Sequence, residues 1–190
     1  MSVDLYLGIL ILLTLWGAQF KLRSLLLKKI KLITVTAIMA PAAVLLVYSY
    51  TLYGIWLNSP APIRYFLPPH TSIHYYLFTI GRRFWLPYFI AIIIALIFFL
   101  LIHSIKKERR EHIFEKEEPY LITIAIALVG HPLWIVYIAL SLLTYFVFSL
   151  LAKGKRISLY YFWIPIALLI LALSPLLGDI EALNLLKLNL

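Results

Sequence analysis

The sequence contains no cysteine, and only 13% of its 190 residues are charged. The absence of cysteine excludes disulfides, thiolate metal sites, thiol nucleophiles and iron–sulfur clusters. The low charge content excludes a soluble domain, because such domains are typically about 25% charged. What the chain has instead is hydrophobic residues, which make up 64% of it. This composition predicts that lipid is the main solvent of the protein.

Six apolar runs recur along the chain, and we interpret each as a transmembrane helix. A helix rises about 1.5 Å per residue, so about 17–25 residues cross a hydrocarbon core of about 30 Å. The predicted fold is an all-α, polytopic membrane helix bundle that forms a single domain over residues 1–190. Because Asp4 precedes the first run and the bases follow it, we expect an uncleaved first helix. The predicted spans are residues 5–20, 32–57, 84–103, 119–130, 133–152 and 160–177.

The net charge of +9 comes mainly from short basic clusters between the apolar runs. Such clusters are typical of cytoplasmic loops, so the charge does not indicate nucleic-acid binding. With six spans, three basic loops fall on one side and hold 13 of the 17 lysine and arginine residues. The distribution predicts a cell-membrane protein with both termini outside. Its cytoplasmic loops are predicted near residues 21–31, 106–116 and 153–156.

The fourth predicted span is short, and a strong turn signal follows it. Residues 119–130 correspond to only about 18 Å of helix. Gly130-His131-Pro132 then predicts a tight outer turn before the fifth span. The alternative is one interrupted helix over residues 119–152, but its 34 residues are too many for one crossing.

The outer segment of residues 58–83 contains two of the candidate metal ligands. Residues 72–80 within it are predicted to form an interfacial helix. His70 and His74 have an i, i+4 spacing that can place two imidazoles on one helical face, and His131 lies on the same outer side. These three histidines could bind zinc or copper. No carboxylate is spaced to complete such a site, so the sequence predicts neither a metal nor a cofactor.

The segment that carries the most chemistry precedes the fourth span. No motif of hydrolases, metalloproteases or nucleotide-binding proteins occurs, and no predicted span carries a charge near its centre. The lack of intramembrane charge disfavours a pump or a coupled transporter. Glu117 and Glu118 come directly before Pro119, where proline and carboxylates are typical of a helix start. A capped helix start is therefore one interpretation of these acids.

The order of elements over residues 84–177 supports a second interpretation. The segment begins with an apolar span, a cytoplasmic segment and an acid before a short helix. A Gly-x-Pro turn, a long apolar helix, a basic loop and a proline-containing last helix follow. This order resembles the membrane core of the type IV prepilin peptidases, which are intramembrane aspartyl proteases. In that family a G-x-G-D motif opens the short helix, and Glu118 lies where the family has its aspartate. The resemblance implies Glu118, with Glu117 beside it, as the candidate catalytic residues.

The sequence departs from this family at both catalytic positions. Both glycines of the motif are missing, and Glu118 replaces aspartate. The end of the first span, where the other aspartate is expected, offers Gln19, Lys21 and Arg23. An aspartyl mechanism needs two acids that share a proton.

We therefore predict a non-catalytic relative that binds or scaffolds another membrane segment. Its expected partners are the lipid bilayer and single-span or pilin-like membrane proteins. The alternatives are an active prepilin peptidase and a small channel or transporter subunit.

Overall fold

The computed structural model describes residues 3–105, 114–151 and 159–177, and every regular element in these ranges is helical. The predicted all-α fold is confirmed for this part of the chain. Short 3-10 helices cover Ile63–Phe66 and Leu159–Tyr161, and a π-helical turn covers Gly81–Trp85. The α-helices are α1 (Val3–Lys21), α2 (Arg23–Asn58), α3 (Ile73–Ile80), α4 (Leu86–Ser104), α5 (Glu118–Val129), α6 (Trp134–Leu151) and α7 (Trp163–Leu177).

Three helical stretches are long and apolar enough to cross a membrane. They are α2, the continuous stretch Ile73–Ser104, and α6, whereas α1, α5 and α7 are shorter apolar helices. Large hydrophobic side chains are exposed along all three long stretches, among them Val47, Leu100 and Leu150. Exposed apolar surface of this extent is unfavourable in water and is solvated by hydrocarbon. Both the helices and their surface are therefore those of a membrane protein.

The short helix α5 lies at the centre of the bundle. Ten of its 12 residues are buried. It packs mainly against α4, α2 and α7, with further contacts to α6 and α1. A helix that is apolar on every side is stable only when it is enclosed on every side, which explains this central position. Its two ends position the two groups of polar residues described below.

The six helices other than α3 alternate in direction. Arg23 at the start of α2 bonds to Glu117 just before α5, and Gln19 near the end of α1 bonds to Tyr160 just before α7. We call this end of the bundle the Glu117 end, and the opposite end, where α5 finishes, the Gly130 end. Ring contacts also bring the ends of α4 and α6 to the Glu117 end, through His103 with Tyr120 and Phe148 with Phe162.

The first predicted basic loop, residues 21–31, is not a loop. Only Leu22 separates α1 from α2, because the segment contains neither glycine nor proline and α2 begins at Arg23. Leu26 and Ile30 are buried one helical turn apart. The lysines between and after them, Lys28, Lys29 and Lys31, are exposed. The bases therefore lie on the outer face of a helix at the Glu117 end.

The predicted interfacial helix and the third predicted span form one continuous helical stretch. The helix begins at Ile73, with Ser72 as its N-cap, rather than restarting at residue 84. Gly81 keeps helical dihedral angles, and the Leu86 N–H donates to the Gly81 carbonyl across the π-helical turn. The hydrogen-bonded backbone thus continues past Gly81, and the arginines at 82 and 83 lie within a helix.

The predicted turn after α5 is confirmed. Helix α5 ends at Val129 and α6 begins at Trp134, so the alternative of one helix over residues 119–152 is wrong. Gly130 has a φ of +77° and a ψ of 175°, a region that only glycine adopts without strain. The Gly-x-Pro pattern therefore predicted the turn correctly, because the turn needs the backbone conformation that Gly130 adopts.

Candidate functional site

Glu117 and Glu118 lie at the start of α5, and both are almost completely buried. Their exposed fractions are 2% and 1%. Pro119 occupies the first turn of the helix, where a missing N–H costs nothing, and its carbonyl accepts the Thr123 hydroxyl at 2.7 Å. The local sequence thus starts the helix as predicted. Buried carboxylates are rare unless a partner compensates for the lost hydration.

Arg23 of α2 supplies that partner for Glu117. Its Nε donates to Glu117 Oε1 at 3.2 Å, and a terminal nitrogen donates to the Glu115 carboxylate. The guanidinium carbon also lies 4.8 Å from the centre of the Tyr160 ring. The Arg23 side chain is 44% exposed, so the pair joins a buried acid to a cation at the edge of the bundle. This contact connects the starts of α2 and α5.

Gln19 of α1 and Tyr160 complete the site. Gln19 is buried, and its Nε2 donates to the Tyr160 carbonyl at 3.1 Å. Its Oε1 accepts no hydrogen bond from the described residues. Tyr160 lies in the 3-10 helix before α7, outside the spanning helix, where burial, with the Glu117 charge adding to it, raises the pKa of its phenol to about 12. The phenol therefore stays protonated at neutral pH.

These residues form a single group at one end of α5. Its charged members are Arg23 and three glutamates. The three glutamates all belong to the segment of residues 115–118. Where the family resemblance places a second acid, on α1, the structure has the amide of Gln19. We call the group the Glu117 cluster; it comprises Gln19, Arg23, Glu115, Glu117, Glu118 and Tyr160.

An open pocket borders the Glu117 cluster. It has a volume of about 350 Å³, and both charged and apolar side chains line it. Leu27 and Phe114 are the apolar members, while Arg23 and Glu115 are partly exposed. The pocket therefore offers apolar contact and charge in one recess at the end of the bundle.

The structure does not assemble the candidate histidines into a metal site. The helical spacing inferred for His70 and His74 is wrong, because α3 begins at Ile73 and His70 lies in the preceding turn. The His70 ring packs against Tyr65, and His131 Nδ1 accepts from Trp134 Nε1 at 3.4 Å. Within the described ranges, no three His, Cys, Asp or Glu side chains are grouped so that they could hold a metal ion.

Sequence reasoning identified the two buried acids but missed what compensates for the burial of Glu117. Arg23 was one of five bases at the end of the first apolar run, and nothing local distinguished it from the lysines around it. Its partner Glu117 is 94 residues away in sequence. Comparison with protein-family models, with characterised proteins and with solved structures finds no match to this chain.

Proposed function

We propose that the chain is a polytopic membrane protein with a prepilin peptidase-like core that has lost catalysis and binds another membrane segment. The observation that carries this proposal is the Arg23–Glu117 ion pair. In an aspartyl protease two carboxylates share a proton around one water. Here buried Glu117 faces a guanidinium, and the position expected to supply the second acid is Gln19. Such a site can hold helices together and receive a partner, and all acids of the Glu117 cluster among the described residues come from the single segment 115–118.

The pocket beside the Glu117 cluster supports the partner role. A single-span protein changes from apolar to polar residues where its helix leaves the membrane. Leu27 and Phe114 can contact the last apolar residues of such a helix, while Arg23 and Glu115 can contact the polar residues that follow. A single-span or pilin-like membrane protein therefore has the chemistry that this pocket fits.

We further propose six spans, formed by α1, α2, α4, α5, α6 and α7, with both termini extracytoplasmic. The alternating direction of these helices supports this topology, although α1, α5 and α7 are short. The exposed lysines of α2 lie at the Glu117 end, which the positive-inside rule assigns to the cytoplasm. The predicted basic loop at 153–156, the basic residues 106–110 and the carboxyl terminus lie outside the described residues.

Reporter fusions test this topology. We expect a reporter inserted in residues 58–72 and one fused after Leu190 to be extracytoplasmic. A reporter inserted in residues 106–113 should be cytoplasmic, because the Glu117 end is the basic end of the bundle. Alkaline phosphatase activity paired with a cytoplasm-active fluorescent protein reads out both locations. A cytoplasmic carboxyl terminus combined with an extracytoplasmic 58–72 segment would rule out an even number of spans.

Position-specific photocrosslinking tests the partner role. A photoreactive phenylalanine derivative in place of Leu27 should crosslink to single-span membrane proteins in the native membrane, because Leu27 lines the pocket. The same residue in place of Val47, which is exposed on α2 away from the pocket, serves as the control. Mass spectrometry identifies the crosslinked proteins. Identical crosslinks from both positions would indicate random collisions in the bilayer and refute a partner site at the pocket.

One observation favours the alternative function of an active protease. Glu118 is buried at the start of α5, where the family has its aspartate. In liposomes that contain pilin-like precursors, our proposal predicts no cleavage above the level seen with the Glu118→Gln variant. The substitution keeps the size of the side chain and should cost no more than about 1 kcal/mol of stability. Cleavage that disappears in this variant would reverse the assignment.

A further inference from the structure

The Gly130 end of α5 borders a second cavity, and two basic side chains lie among its apolar walls. The cavity has a volume of about 360 Å³ and lies between α2, the π-helical turn, α4 and the end of α5. Pro41, Leu45 and Leu128 form part of its apolar wall. Arg83 and His131 are its basic groups. It is separated from the Glu117 cluster by the length of α5.

Arg83 is positioned to bind an anion. Within the part of the chain that the structure describes, both ion pairs involve Arg23, and none involves Arg83. The Arg83 guanidinium carbon lies 5.7 Å from the centre of the Phe84 ring. The N–H donors of a guanidinium lie in its own plane. Those donors can form two parallel hydrogen bonds to a phosphate or carboxylate.

His131 adds a second polar group to the same cavity. Its Nδ1 accepts a hydrogen bond from Trp134 Nε1 at 3.4 Å, and the ring lies at the cavity wall. The side chain is placed by the turn at Gly130, and Arg83 by the π-helical turn. Two separate backbone features therefore bring basic side chains to one cavity.

The π-helical turn also borders an apolar groove on its other side. Arg82 lies at this groove, which has a volume of about 490 Å³ and is lined by Phe78, Trp85, Leu86 and Phe89. A π-helical turn contains one more residue than an α-helical turn and so re-aims the side chains around it, and such turns are frequent at functional sites. This turn places an arginine beside each of two apolar recesses. An amphiphile with an anionic head is the ligand that such an arrangement suits.

We propose that the cavity at the Gly130 end binds the phosphate headgroup of an anionic phospholipid, with Arg83 as its ligand. The apolar wall contacts the first carbons of the acyl chains, whereas a free phosphate ion would gain nothing from it. The volume lies in the lower part of the range of about 300–1,000 Å³ that is usual for ligand pockets. The inference requires the bundle to lie in a membrane, but it does not require the partner role proposed above.

Lipid retention by the full-length protein tests this inference. The protein is reconstituted in nanodiscs of phosphatidylcholine mixed with phosphatidylglycerol, and native mass spectrometry counts the lipids that stay bound after release. We expect wild-type protein to retain phosphatidylglycerol preferentially. Arg83→Gln should reduce that preference about tenfold, as expected for the loss of a charge-assisted hydrogen bond. Arg64→Gln, which removes an arginine outside the cavity, should leave the preference unchanged.

Two further measurements keep the test decisive even if Arg83→Gln fails to fold. Leu128→Phe narrows the cavity without changing any charge, and we expect it to lower phosphatidylglycerol retention as well. Inorganic phosphate should not displace the lipid; displacement would indicate a site for a soluble anion and overturn the lipid assignment. Equal losses in Arg83→Gln and Arg64→Gln would indicate attraction by surface charge in general and would also overturn it.

Discussion

Replacing Arg23 with methionine is expected to lower the free energy of unfolding by about 2–3 kcal/mol. The substitution leaves the Glu117 carboxylate, which is 2% exposed, without its cationic partner. Breaking a fully buried ion pair typically costs about 3–5 kcal/mol, because an uncompensated charge remains in a medium of low dielectric constant. The expected value is smaller here because the Arg23 side chain is 44% exposed and water screens part of the interaction.

Reversible unfolding of the purified protein in mixed lipid–detergent micelles measures this effect. Lys28→Met is the matched control, because it removes an exposed cation from the same helix and should change stability by less than about 0.5 kcal/mol. The double variant Arg23→Met, Glu117→Gln should recover most of the lost stability, since it removes the buried charge as well. If the double variant is as unstable as the single one, the ion pair is not the source of the effect.

Replacing Ala95 with leucine is expected to cost about 1–3 kcal/mol of stability. Helix α4 packs along α5, and Ala91 and Ala95 are spaced four residues apart on α4 with exposed fractions of 0% and 1%. Lipid chains are as apolar as leucine, so burial of apolar surface does not drive helices together in a bilayer. Close packing through small residues does, and a larger side chain at this position must push α4 away from α5.

The same unfolding experiment distinguishes overpacking between α4 and α5 from a general effect of enlarging a side chain on α4. Ile93→Phe enlarges an exposed side chain on α4 and should change stability by less than about 0.5 kcal/mol. An Ala95→Leu protein with wild-type stability would contradict the close packing of α4 on α5.

Features that depend on neighbouring residues could be predicted from the sequence. The break at Gly130 is one, because the residues of the Gly-x-Pro sequence act on the backbone where they occur. The start of α5, with Pro119 in its first turn, is another. The prediction of a loop over residues 21–31 was wrong, because it rested on the charge of the segment. The apolar residues Leu26 and Ile30 favour a helix, and both are buried in α2.

The composition of the Glu117 cluster could not be predicted in the same way. Its members come from α1, from the start of α2, from the residues before and at the start of α5, and from the 3-10 helix before α7. Only packing of the whole bundle brings them together. A local sequence pattern does not predict which basic residue forms an ion pair with which acid. The continuity of α3 with α4 also escaped prediction, because a π-helical turn has no sequence signature of its own.

The enclosure of α5 has a consequence for how the protein is made. With 12 residues, α5 is too short to be stable alone across a bilayer, and it begins with one acid, Glu118, directly after another, Glu117. Its enclosing helices come from both sides of the sequence, because α2 and α4 are synthesised before it and α6 and α7 after it. Each of the long helices can enter the membrane independently, whereas α5 gains its surroundings only when α7 leaves the ribosome. The packing around α5 is therefore completed only after α7 has been synthesised.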